Sequence, residues 1–138
     1  MLRKNNQPTP DAPGEIVCSN GLYTGIFIMP GNAEEGMLED LCLKTVIGHP
    51  VLTCVDEYFL CLKDKLDNEK TKTTKETCKY YYPKNEAKAK MHAFLAGMNK
   101  FVPSLGIAAK KGYFNFESES LNEIKYFLLN LMAKFEDK

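Results

Sequence analysis

The sequence predicts an α/β chain that is mostly helical, with one clear strand and four or five helices. Three observations predict it. One run of β-branched and aromatic residues, Leu22-Tyr23-Thr24-Gly25-Ile26-Phe27-Ile28-Met29, ends at the turn signal Pro30-Gly31-Asn32. After it, apolar residues recur at the three-and-four spacing of amphipathic helices. With 138 residues and 44% hydrophobic content, the chain is long enough for one core and short for two.

Residues 1–20 contain Pro8, Pro10 and Pro13 and few aliphatics, which predicts a tail or linker remnant. Residues 21–138 then form a single domain. The strand over 23–29 has consecutive rather than alternating apolar residues, the pattern of a strand covered on both faces in a parallel sheet. Leu38, Leu41, Cys42, Thr45 and Val46 predict a first helix that starts near Glu35 and stops by Gly48-His49-Pro50. Val51, Leu52, Val55, Tyr58, Phe59 and Leu62 predict a second, with Pro50 in its first turn. The stretch 63–79 is rich in Lys, Thr, Asp and Asn without a period and predicts a mobile loop. Tyr80-Tyr81-Tyr82 then anchors the chain back to the core.

Ala87, Met91, Phe94, Leu95 and Met98 predict a third helix with Asn85 as N-cap. Ser104 to Lys110 predicts a short helix closed by Gly112, while Tyr113-Phe114-Asn115-Phe116 fits either a short strand or a loop. Ser120-Leu121-Asn122-Glu123 has the form of a capping box. It opens a last helix whose apolar face is Leu121, Ile124, Phe127, Leu128, Leu131, Met132 and Phe135. A lone strand must pair its N–H and C=O groups. Its partner is expected from another chain, from the N-terminal tail or from an upstream segment, so association through strand 23–29, as a homo-oligomer or with such a partner segment, is expected.

Composition narrows the function classes. Eighteen basic and eighteen acidic residues cancel, which excludes the basic footprint of a dedicated nucleic-acid binder. Between Lys63 and Lys90, however, nine lysines face five acids. Lys88 and Lys90 are candidate phosphate contacts against the ordinary reading of solvated surface. No uninterrupted apolar run reaches the roughly 18 residues of a membrane helix, and the polar start MLRKNNQPTPD has no signal-peptide core. A cytoplasmic protein without a membrane partner is expected. The five cysteines, at positions 18, 42, 54, 61 and 78, follow neither a CxxC nor a disulfide spacing. They read as reduced thiols, with Cys42, Cys54 and Cys61 as core filler.

The most informative stretch runs from Ile26 to Asp40: a strand, a loop at its C-terminal end, and a helix opening with carboxylates. In open α/β sheets functional groups gather at that place. Equally, Glu34, Glu35, Glu39 and Asp40 complement a helix dipole, which favours acids in the first turn.

The blocks MPGNAEEGMLEDLCL, HPVLTCVDEYFLCLK, PKNEAKAKMHAFLAG and LGIAAKKGYFNFES, in that order from about Gly14 to Met132, resemble the C-terminal half of an uncharacterised toprim-related family, a domain of unknown function. That family's signature reads MPDN, a short spacer, then GMLED. The motif positions here are Pro30, Asn32, Gly36, Met37 and Leu38, with Gly31 in place of the usual Asp. The resemblance implies part of a toprim-like domain, the fold used for metal-dependent phosphodiester chemistry on nucleic acids. It implies Mg²⁺ in an intact homologue, with Glu39 and its neighbour Asp40 matching one ligand element. An early glutamate and an Asp-x-Asp pair, the other elements, would precede Met1. Catalytic residues are therefore not assigned, and the chain alone is expected to be inactive and to bind no cofactor. The alternative function is a non-catalytic protein-interaction module.

Overall fold

In a computed structural model the described residues, 7–72 and 81–136, form five α-helices and a two-stranded antiparallel sheet. In chain order these are β1 (Ile16–Ser19), β2 (Leu22–Gly25), α1 (Leu38–Lys44), α2 (Pro50–Lys72), α3 (Glu86–Ala96), α4 (Leu105–Lys110) and α5 (Asn122–Glu136), with a 3-10 turn at Glu119–Leu121 before α5. The α/β class is as the sequence predicts. Two compact units result, one from residues 1–41 with 116–138 and one from 42–115. No helix among the described residues is long and apolar enough to cross a membrane.

In the first unit the strand finds its partner in the N-terminal tail. β1 pairs antiparallel with β2, Ile16 opposite Gly25 and Ser19 opposite Leu22. Asn20 and Gly21 make the turn with φ of 51° and 75°, the left-handed pair of a two-residue hairpin, which Asn-Gly adopts at least cost. The expected parallel, doubly covered strand is thus corrected to one arm of a hairpin, and part of the expected tail is its other arm. β2 ends at Gly25, short of the apolar run. Beyond it, Ile26 O still accepts a hydrogen bond from Gly14 N at 2.7 Å. Helix α5 closes against this hairpin: Phe127 lies 5.4 Å from Phe27 and Phe135 lies 5.3 Å from Tyr23, ring centre to ring centre. Gly25 permits the approach, because a Cβ there would stand 2.7 Å from Phe127 Cζ.

In the second unit Pro50 takes the first position of α2, where its missing N–H is harmless. His49 caps that helix, its Nδ1 accepting from Val51 N at 3.1 Å, and its ring stands edge-on to Phe94. The helix continues through Lys72, so 63–72 is helical where a loop was expected. The apolar stripe in fact continues from Leu62 to buried Leu66, and Lys, Glu and Leu carry only small helix penalties. Residues 73–79 of the expected loop, with Cys78 and Tyr80, lie outside the described residues. Asn85 caps α3 as predicted, its Oδ1 accepting from Lys88 N at 2.9 Å.

The core of this unit joins Val46, Leu52, Val55, Phe59, Met91, Phe94, Leu95, Val102, Ala108 and Phe114. Tyr82 packs on it, while Tyr81 is exposed. Tyr113 to Phe116 form no strand; Phe114 is buried and Tyr113 OH donates to Lys100 O at 2.8 Å. Of the cysteines, Cys18, Cys54 and Cys61 are exposed thiols and Cys42 is half-buried. Core filler is therefore a correction for Cys54 and Cys61, which fall between the core residues Val55 and Phe59 and their helical repeats.

Candidate functional site

The loop between β2 and α1 holds the motif residues, and its shape comes from side chains that serve the backbone. Pro30 and Gly31 are buried. Gly31 O accepts from Glu34 N at 3.0 Å, closing a tight turn. Asn32 works at both ends of the loop: its Oδ1 accepts from Ile28 N at 3.0 Å, and its own N–H donates to Glu123 Oε1 at 3.0 Å. The second oxygen of Glu123 faces Gly31, where a Cβ would stand 2.6 Å from it. A side chain at position 31 and the carboxylate of Glu123 therefore compete for one space.

Gly36, with φ of 148°, passes Pro30 closely and leads into α1. Met37 N donates to Asp40 Oδ2 at 2.9 Å. Asp40 sits three residues on from the cap position, so it supplies the return half of a capping box. Leu38 is exposed at the helix start. Glu39 is half-buried and makes no hydrogen bond or ion pair among the described residues. Since α1 begins at Leu38, Glu34 and Glu35 precede its first turn and lie exposed in the loop, whereas Glu39 and Asp40 occupy that turn.

Neighbouring helical residues point about 100° apart, so Glu39 and Asp40 do not converge on a shared ion unaided. Mg²⁺ requires near-octahedral oxygen coordination. Among the described residues no three His, Cys, Asp or Glu side chains come together as a metal site, and one Asp40 oxygen already accepts from the backbone. The donors that the described residues bring together do not fit a Mg²⁺ centre by themselves.

The lysine candidates lie elsewhere, on α3. Lys88 is exposed. Lys90 is held by Asp56 of α2 at 2.8 Å and by Glu86 at 3.0 Å, and it stands 5.9 Å above the Phe59 ring. The hydrogen bond to Asp56, followed by that to Glu86, raises the Lys90 pKa against the opposing effect of burial. Lys90 lowers that of Glu86, to which Tyr82 also hydrogen-bonds. Desolvation, then the Glu86 contact, raises that of Tyr82. This is a clamp joining α2 to α3.

Glu123 is the residue that sequence reasoning assigned elsewhere. The capping-box reading directed it at Ser120, but Ser118 takes the cap role for the 3-10 turn, accepting from Ser120 N at 3.4 Å. Glu123 is thereby free to reach the loop, and no local pattern announces a partner 91 residues away.

A family model described as a protein of unknown function, DUF3226, matches residues 2–133. No curated protein and no solved structure matches the chain.

Proposed function

The chain belongs to the DUF3226 family, whose function is unknown, and on that premise we propose that it works as a non-catalytic interaction module. One observation carries this reading: of the charged side chains the sequence offers for chemistry, Asp40 and Lys90 are engaged in holding the fold. Asp40 caps α1, Glu123 holds the loop, and Lys90 joins two helices. Meanwhile large apolar side chains of α5 stay exposed, the mark of a surface that meets a partner. The four exposed or half-buried free thiols support a reducing, cytoplasmic compartment.

A second reading is favoured by Glu39 alone. Among the described residues it has no polar partner, and it lies at the start of α1, just after the strand and loop, where the toprim relation implied by the GMLED block would use a carboxylate. In that reading the chain is a nucleic-acid-associated part of a toprim-like domain. Mg²⁺-dependent phosphodiester chemistry arises only when acids from outside the chain join Glu39.

Incubation of the purified chain with single- and double-stranded DNA and RNA, in Mg²⁺ or Mn²⁺, tests the choice. No cleavage above a metal-free control is expected. Cleavage that disappears in Glu39→Ala would overturn the module reading and support the second.

A further inference from the structure

Of the ten asparagines in the sequence, Asn20 alone precedes a glycine. Asn20 and Gly21 are exposed at the tip of the β1–β2 hairpin, with φ of 51° and 75°. An asparagine side-chain amide can be attacked by the backbone nitrogen of the residue that follows. Glycine, without a Cβ, shields that nitrogen least and lets the backbone bend most freely toward the attack.

We propose that Asn20 is a self-modification site, converted through a succinimide to isoaspartate or aspartate, and that the docking of α5 on the hairpin sets its rate. Water is the co-reactant, and nothing is oxidised or reduced. Gly21 N gives its proton to solvent and bonds to Asn20 Cγ. The Cγ–Nδ2 bond breaks, and Nδ2 leaves as ammonia with a proton taken from water. Water then opens the ring. Attack at Cγ breaks its bond to Gly21 N and gives aspartate; attack at the backbone carbonyl gives isoaspartate, in which the main chain runs through Cβ and Cγ.

The fold gates this reaction. In a turn with two left-handed residues, the bond from Asn20 Cα to its carbonyl is held away from the rotation that brings the next nitrogen onto Cγ, so ring closure requires the turn to open. The arms, Ile16–Ser19 and Leu22–Gly25, are short, and a two-stranded hairpin alone is marginal in water. What holds it closed is α5, with Phe127 5.4 Å from Phe27 and Phe135 5.3 Å from Tyr23 between ring centres. Loosening that contact raises the open fraction, and the rate follows the open fraction. The two products differ in effect. Asp-Gly fits the same turn, whereas isoaspartate adds a carbon to the main chain of a loop that the pairing of Ser19 with Leu22 limits to Asn20 and Gly21.

Peptide mass spectrometry of the full chain, aged in mildly alkaline buffer, tests the proposal, with the same chain unfolded in urea as the unrestrained reference. Asn20 should convert ahead of Asn32, Asn85 and Asn122, and more slowly than in urea. Phe127→Ala should raise the native rate by about fivefold or more, up to the rate in urea. Hydrogen exchange reads the products. Asn20→Asp should keep the protection of the Val17 and Thr24 amides, and the isolated isoaspartyl form should lose it. An Asn20 that stays intact in the native chain while it converts in urea overturns the inference, as does a native rate that equals the urea rate or ignores Phe127→Ala.

Discussion

Asn32 and Glu123 are the contact on which the motif loop depends, and position 31 shows how tightly it is set. A methyl group at Gly31 would enter the space of Glu123 Oε2, 2.6 Å away. Gly31→Ala should therefore displace the flexible Glu123 carboxylate and destabilise the fold by about 1 kcal/mol, through the lost hydrogen bond to Asn32 N–H. Glu123→Ala should also destabilise, by about 1–2 kcal/mol, because Asn32 N–H loses its acceptor. The double variant should cost clearly less than the sum, since removing the carboxylate makes room for the methyl. Thermal or urea unfolding of the four proteins measures the coupling; strict additivity would show that the two positions do not share space. Asp40 is tested in the same way. Asp40→Ala should cost about 1 kcal/mol as a lost cap, and Asp40→Asn, which keeps an oxygen acceptor for Met37 N–H, should recover most of it.

At the scale of elements, the α2–α3 clamp gives a pH signature. The Glu86 pKa is depressed chiefly by Lys90, so its contribution is present above the ordinary carboxylate range and is lost as pH falls through the lowered value. The pKa values of Lys90 and Tyr82 are raised. Their contributions are complete below their ordinary values near 10 and are lost as pH rises above them. Stability from the clamp should be flat between about pH 5 and 9 and fall on both sides. Lys90→Met should flatten the acid flank and remove the lysine's share of the alkaline one, leaving that of Tyr82, whose pKa Lys90 lowers rather than raises, at a cost of about 1 kcal/mol or less for such partly exposed pairs. Urea midpoints against pH check this; unchanged flanks in Lys90→Met would contradict it.

The helices were legible because an apolar stripe and a cap are local signals. The stripe Met91, Phe94 and Leu95 with Asn85 foretold the start of α3, which ends at Ala96, two residues short of Met98, and α4 followed Ser104 and Gly112. The hairpin was missed although Asn20-Gly21 announces one, because β1 is only four residues long and ends a proline-rich stretch. The lysine-rich end of α2 was missed because Leu66 alone carries the stripe on from Leu62 among Lys, Asp, Asn and Thr. Of the site, the motif positions were legible, but their roles were not. Whether Asp40 faces an ion or its own helix, and where Glu123 turns, depends on contacts that only the folded chain creates.

At the scale of the whole molecule, the fold depends on segments far apart in sequence. The first unit is assembled from both parts of the chain, residues 1–41 and 116–138, and a two-stranded hairpin alone is marginal in water. Truncation before Glu119 should therefore abolish hydrogen-exchange protection of the hairpin amides of Val17 and Thr24, while the amides of Phe94 and Leu95 in the second unit stay protected. Loss of protection in both units would show that they fold as one.

The central proposal is that Asp40 of the GMLED stretch serves the fold as a helix cap and that Glu39 and Asp40 do not by themselves hold a metal. Titration of the purified chain with Mn²⁺, followed by paramagnetic broadening of backbone resonances, tests it most directly. The expected result is weak, non-saturating broadening spread over the exposed acids, unchanged in Glu39→Ala. Saturable, one-to-one broadening centred on Glu39 and Asp40, and abolished by Glu39→Ala, would contradict it.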